Sequence, residues 1–173
     1  MSFNVVILYE DFDTGKQAKK TYDLLVKNLG RDCRCNNQMW KFDILTIPKL
    51  RDIALKDAAL ADIVILSCHG ENLAQPVHDW LKAWVNSPTN ALALVSLFDC
   101  PPEQTGRVRE VRAQLAELAR QGDLEFFAQP AAESTLREAP WFQNSSDWHS
   151  RTLSTLAGTV QEDWRVPRWG INE

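Results

Sequence analysis

The chain has 173 residues, of which 45% are hydrophobic and 24% are charged, and its formal net charge is −4 at pH 7. This composition is typical of one globular domain and excludes a low-complexity or repetitive chain. The acidic balance argues against nucleic-acid binding, since a protein that contacts a phosphate backbone needs an excess of lysine and arginine. No apolar run is long enough for a membrane span and no basic leader opens the sequence, so we expect a cytoplasmic protein that does not bind a membrane.

Five apolar runs predict strands, and helical patterns alternate with them. The runs are 4–10, 40–47, 63–68, 92–98 and 124–128. Most are apolar without interruption, which is typical of strands buried on both faces of a parallel sheet. The alternation predicts a three-layer α/β/α domain, with a five-stranded parallel sheet between two layers of helices.

The helical segments show apolar residues at intervals of three and four. The first extends from Ala18 to Leu29, follows a cap at Thr14 and ends at Gly30, and a weaker one covers 48–60. Two clear apolar stripes follow: Val77, Trp80, Leu81 and Trp84, then Val108, Val111, Leu115 and Leu118. These faces are expected to cover the sheet.

Residues 131–173 form an extension that we expect to pack on the domain core of residues 1–130. Ser145 or Ser146 is a candidate cap for a helix whose apolar stripe extends from Leu153 to Trp164. The extension holds four of the seven tryptophans: Trp141, Trp148, Trp164 and Trp169. Tryptophan and arginine often anchor interfaces, so the tail is a candidate docking segment for a protein partner or for a homodimer. The alternative, that these rings fix the tail onto its own domain, stays open.

Polar side chains follow the strands at the end of the sheet where parallel strands all terminate. Ligands of open parallel sheets bind at this carboxyl end, so we predict a strand-end pocket there. Its candidate residues are Glu10, Asp11, Asp13, Ser67, Ser96, Asp99 and Gln129.

Four stretches, "VVILYED", "ADIVILS", "ALALVS" and "LEFFAQP", resemble strand ends of the receiver domain of two-component response regulators, over roughly residues 3–130. The resemblance implies a flavodoxin-like, CheY-like strand order. It places Glu10 and Asp11 where the family holds magnesium, and Ser67 at the phosphoacceptor aspartate. It also places Ser96 at the switch serine or threonine, and Gln129 at the family's lysine.

The departures from the family pattern favour a protein that is not an enzyme. A serine cannot form the acyl phosphate that phosphotransfer needs, and glutamine lacks the charge of lysine. The resemblance therefore implies a pseudo-receiver, a signalling module that regulates by protein interaction. It needs no cofactor beyond Mg²⁺ weakly held by Glu10 and Asp11. The alternative is an unrelated flavodoxin-like sheet whose strand ends match by chance.

An enzymatic alternative depends on "LSCHG" and "LFDC", which resemble short motifs of the caspase-like cysteine peptidases. In that family's chemistry His69 would activate the thiol of Cys100, and the amides of Gly70 and Cys100 would bind the oxyanion. Pro101 and Pro102 depart from the pattern, because they stiffen the chain and remove backbone donors. In the favoured interpretation His69 has no role.

Two further features are candidate binding sites, and neither pattern is complete. Cys33 and Cys35 can share one strand face, but nothing nearby completes a four-ligand zinc site, and reduced thiols are expected. The segment "DFDTGKQ" could place a phosphate at a helix N-terminus, but its acids would repel an anion and it lacks the glycine-rich fingerprints.

Overall fold

The computed structural model describes residues 2–99, 105–129 and 148–165. The strands are β1 (Ser2–Tyr9), β2 (Arg34–Lys41), β3 (Ile63–Cys68), β4 (Ala93–Phe98) and β5 (Glu125–Gln129). The helices are α1 (Phe12–Leu29), α2 (Pro48–Ala59), α3 (Gln75–Val85), α4 (Thr105–Gln121) and α5 (Trp148–Arg165), and a 3-10 helix covers Phe42–Thr46. In the described part of the chain no helix is long and apolar enough to cross a membrane.

The five strands form one parallel sheet in the order β2-β1-β3-β4-β5. This is the flavodoxin-like order, in which ligands bind beside the first and third strands at the carboxyl end. Residues of α1 and α5 pack on one face of the sheet, and residues of α2, α3 and α4 pack on the other. The predicted fold class is therefore confirmed.

Two stacked tryptophans form the centre of the face covered by α2, α3 and α4. Trp80 and Trp84 are fully buried, with ring centroids 6.3 Å apart. Their indole N–H groups donate to the carbonyl oxygens of Arg51 (3.4 Å) and Ala58 (3.1 Å). The polar end of each ring is thereby satisfied, and α3 is tied to α2.

The opposite face is covered by α1 and the C-terminal helix α5. Leu156 and Val160 are buried there, and α5 lies against α1 and β5. Asn28 Nδ2 in α1 donates to Thr159 Oγ1 in α5 over 3.0 Å. The candidate caps Ser145 and Ser146, and the rings of all four tail tryptophans, lie outside the described residues.

The second strand differs from its prediction. It covers Arg34–Lys41 rather than 40–47, and the 3-10 helix follows directly. At the outer position in the sheet, β2 carries mostly polar residues and none of its side chains is fully buried. The apolar signal came instead from Phe42 and Leu45, which the 3-10 helix buries. The other four strands lie within two residues of their predicted bounds.

Candidate functional site

Three neighbouring strands end at one polar group of residues, the carboxyl-end cluster: Glu10, Asp11, Thr14, His69 and Asp99. Backbone hydrogen bonds hold the three strand exits together. The amide of Glu10 donates to the carbonyl of Ser67 (3.1 Å), and the amide of Asp99 donates to the carbonyl of Cys68 (2.9 Å).

Asp11 is the N-cap of α1. Its Oδ1 accepts from the amide of Thr14 (3.0 Å), and Thr14 Oγ1 accepts from the amides of Asp11 (2.9 Å) and Glu10 (3.1 Å). This reciprocal arrangement is a capping box. The predicted cap at Thr14 is wrong by three residues. Thr14 lies inside the first turn, and its hydroxyl accepts hydrogen bonds from the backbone amides that precede the helix. The carboxylate of Asp11 consequently lies at the positive end of the helix dipole.

His69 follows β3 and contacts the other two strand exits. Its Nε2 is 2.6 Å from Asp11 Oδ2, and its Nδ1 is 3.2 Å from the carbonyl oxygen of Asp99. The backbone amide of His69 donates to Glu10 Oε2 (2.8 Å). Both ring nitrogens face oxygen acceptors, and only the imidazolium carries a proton on each nitrogen. The geometry therefore favours the charged form of His69.

The electrostatics of the pair agree with this geometry. The hydrogen bond to Asp11 raises the pKa of His69 above its ordinary value. The backbone hydrogen bond from Thr14, followed by the one from His69, lowers the pKa of Asp11 to about 2. Both shifts favour the charged pair. Their side chains are 36% and 45% exposed, so solvent screens the attraction and the ion pair itself contributes modestly to stability.

Gly70 shapes the backbone immediately after His69. Its φ is +83°, and a Cβ there would lie 2.9 Å from both Phe98 Cδ1 and Val108 Cγ2. A side chain would therefore be strained by the backbone conformation and would collide with two buried residues. The position of His69 thus depends on glycine at the next residue.

Of the residues proposed for the strand-end pocket, the structure brings Glu10, Asp11 and Asp99 together. Ser67 lies beneath them, fully buried, and its hydroxyl donates to the carbonyl of Thr14 over 2.8 Å. Asp13 is on the exposed side of α1, where it pairs with Lys16 (3.1 Å). His69 is the residue that the favoured interpretation missed, although its place directly after β3 was a usable signal.

Ser96 and Gln129 do not join the carboxyl-end cluster. Ser96 is buried within β4, paired with Leu66, on the face that α3 and α4 cover. Gln129 is buried at the end of β5, beside Leu97, on the opposite face. Alternation along the strands therefore separates these two candidates.

The predicted magnesium ligands are engaged with protein groups. Both carboxylate oxygens of Asp11 accept hydrogen bonds, and Oε2 of Glu10 accepts from the amide of His69. The described residues contain no group of three or more histidine, cysteine or acidic side chains arranged to hold a metal. An ion on Asp11 would have to displace His69, and Mg²⁺ binding stays a prediction.

The hydrolase alternative also stays a prediction, since Cys100 lies outside the described residues. Both ring nitrogens of His69 already have acceptors, so the ring would have to leave one of them before it could take a proton from a thiol.

No protein-family model matches this sequence, and no curated protein does. Two solved structures are similar. One is a short-chain flavodoxin associated with a non-canonical PDU bacterial microcompartment, at 10% identity and a TM-score of 0.47, covering 95% of this chain and 99% of that one. The other is rubredoxin oxygen:oxidoreductase from Desulfovibrio gigas, at 15% identity and a TM-score of 0.43, covering 94% of this chain and 37% of that one. Neither is a receiver domain, and the fold assignment is based on the strand order itself.

Proposed function

We propose that the chain is a pseudo-receiver, a non-catalytic regulatory module that acts by binding a protein partner and transfers no phosphoryl group. One observation carries the proposal. The carboxylate of Asp11 caps α1 and pairs with His69, whose other ring nitrogen is bonded to Asp99. The polar groups at the usual ligand-binding end of this fold thus satisfy one another.

The environment of Ser67 supports the loss of phosphotransfer. This residue corresponds to the phosphoacceptor in the receiver resemblance, but it is fully buried and its hydroxyl is donated to the carbonyl of Thr14. A hydroxyl in this position can form neither an acyl phosphate nor an in-line contact with a phosphodonor.

The electrostatics of α1 oppose a phosphate ligand as well. A helix N-terminus attracts anions through its free amides and its dipole. Here the carboxylate of Asp11 already takes that place, and Glu10 and Asp13 add negative charge beside it. A flavin or nucleotide phosphate would have to displace Asp11 from its own helix.

An exposed aromatic side chain at the same end supports a binding role. Phe12, the first residue of α1, is 75% exposed, and the ammonium of Lys16 is 4.8 Å from its ring centroid. Exposed aromatic residues beside charged groups are frequent interface anchors. We expect the partner to contact this end of the sheet, with the Trp-rich tail as a further docking segment.

Phosphorylation and phosphate binding test whether the polar groups at the carboxyl end are unavailable to a phosphate ligand. After incubation with acetyl phosphate and Mg²⁺, we expect intact-mass spectrometry to show no phosphoryl adduct. Asp11→Ser keeps a capping oxygen and removes the charge, so the amide NMR signals of residues 12–15 should shift on adding inorganic phosphate to this variant. Asp13→Ser is the matched control and should behave as the wild type. A phosphoryl adduct, or equal phosphate binding by the wild type, would contradict the proposal.

Partner binding is tested by comparing two exposed apolar residues. Protein captured by the wild type from cells that express this chain should be lost with Phe12→Ala. The same protein should be retained with Leu60→Ala, whose side chain is 72% exposed in the wild type and follows α2. Capture that does not differ between the two variants would reject Phe12 as the anchor.

A further inference from the structure

Two thiols lie at the opposite, amino end of the sheet. Cys35 is the second residue of β2 and pairs with Phe3 of β1, and Cys33 lies directly before the strand. Both side chains are partly buried against the face covered by α1 and α5. We call Cys33 and Cys35 the thiol pair.

The two sulfur atoms are close enough to interact. Cys35 Sγ is 3.6 Å from Cys33 Sγ and 3.9 Å from the carbonyl oxygen of Cys33, with the Cys35 S–H as donor. Burial, followed by the hydrogen bond with Cys33, raises the pKa of Cys35 to about 12. Cys35 is the donor in both contacts and Cys33 lines a surface depression, so Cys33 is the sulfur from which the pair can attack.

Cys33 is accessible from an open depression of about 600 Å³. Its other lining residues are Ser2, Arg31, Asp32 and Arg34. The two arginines outnumber the one acid, Asp32, and guanidinium groups attract carboxylates, so the depression suits a small disulfide that carries negative charge.

A bond between the two sulfurs is compatible with the backbone. Residues two apart in an extended chain have Cα atoms about 6.6 Å apart. This lies within the range that disulfides span, close to its upper limit. The bridge can therefore form through local adjustment at the start of an outer strand.

We propose that Cys33 and Cys35 are a redox site that is oxidised by small anionic disulfides of the glutathione class. The thiolate of Cys33 attacks the disulfide, forms a mixed disulfide and releases one small thiolate. Cys35 then loses its proton to solvent and attacks the Cys33 sulfur, which releases the second thiolate and closes the protein disulfide. The protein loses two electrons and two protons, and one small disulfide is reduced to two thiols.

The test uses the full chain in buffers of varied ratio of reduced to oxidised glutathione, followed by alkylation and peptide mass spectrometry. The peptide that contains both cysteines should lose two hydrogen masses as the buffer becomes oxidising. Cys35→Ser should accumulate a glutathione adduct on Cys33, whereas Cys33→Ser should react at least about tenfold more slowly. Cys68 is fully buried and reports on folding, since it should stay unmodified in every variant.

A second measurement leaves both cysteines in place. Arg31→Gln combined with Arg34→Gln should slow oxidation by oxidised glutathione about tenfold at low salt, and should leave oxidation by the neutral hydroxyethyl disulfide unchanged. Independent alkylation of the two thiols with no bridge at any ratio would overturn the redox site. Equal slowing with both disulfides would overturn the preference for an anionic disulfide.

Discussion

The two ends of the sheet differ in how far their reactive side chains are already hydrogen-bonded within the protein. At the carboxyl end, Asp11 and His69 are bonded to each other and to neighbouring backbone groups. At the amino end, Cys33 lines an open depression and its sulfur lies 3.6 Å from that of Cys35. In this fold class the carboxyl end is the usual ligand site. The topology thus fixes where a ligand usually binds, whereas the side chains at that place determine whether groups are free to bind one.

The position of His69 at the carboxyl end depends on the backbone conformation of the next residue, Gly70. Gly70→Ala should lower the free energy of unfolding by about 2–3 kcal/mol, because the added methyl group meets Phe98 and Val108 at a positive φ. Urea unfolding measures the loss. Gly106→Ala is the matched control, since nothing lies within 4 Å of its added Cβ. Similar stabilities of the two variants would show that the loop after β3 yields easily.

Removing the cap tests the contribution of the carboxyl-end cluster more directly. Asp11→Ala should destabilise the protein by about 1–2 kcal/mol, since the first turn of α1 loses its cap and His69 loses its acceptor. Asp13→Ala removes a carboxylate from the same turn, but from an exposed position, and should leave the urea midpoint nearly unchanged. If both substitutions have equal effects, general charge rather than the specific hydrogen bonds explains the stability of this end.

The charge state of His69 gives a smaller, pH-dependent effect. A raised pKa means that its stabilising contribution is complete below the unfolded value near 6.5 and is lost as the pH rises through the folded value. The lowered pKa of Asp11 adds a contribution that is present above about pH 4 and is lost as the pH falls towards about 2. The difference in unfolding free energy between wild type and His69→Gln should therefore be largest between about pH 4 and 6.5.

NMR titration of the His69 ring checks the same assignment without a mutation. Its midpoint should lie above the ordinary histidine value and should fall in Asp11→Asn, because the amide that replaces the carboxylate no longer favours the charged ring. His78, on α3, is a second histidine signal in the same spectra. A His69 midpoint at or below the ordinary value would contradict the charged pair.

Strands that are buried on both faces could be predicted from the sequence, whereas side-chain contacts that depend on the register between strands could not. β3 was predicted at 63–68 and found at Ile63–Cys68, because both of its faces are buried and the run is continuously apolar. β2 was misplaced, since this outer strand is mostly polar and has no such run. At the carboxyl end, strand ends located Asp11 and Asp99. The separation of Ser96 from Ser67 depends on alternation within β4 and β3, and the contact between His69 and Asp11 depends on the pairing of β1 with β3.

The smallest expected effect is the coupling between the two ends. α1 extends from the carboxyl-end cluster towards the thiol pair, and its 18 residues cover about 27 Å. At that separation, the destabilisations of Asp11→Ala and Cys35→Ser should add to within about 0.5 kcal/mol in the double variant, measured by urea unfolding. A larger deviation would mean that α1 transmits strain between the ends. Oxidation of the thiol pair would then change the conformation of the surface around Phe12, and the redox site would control the affinity for the proposed partner.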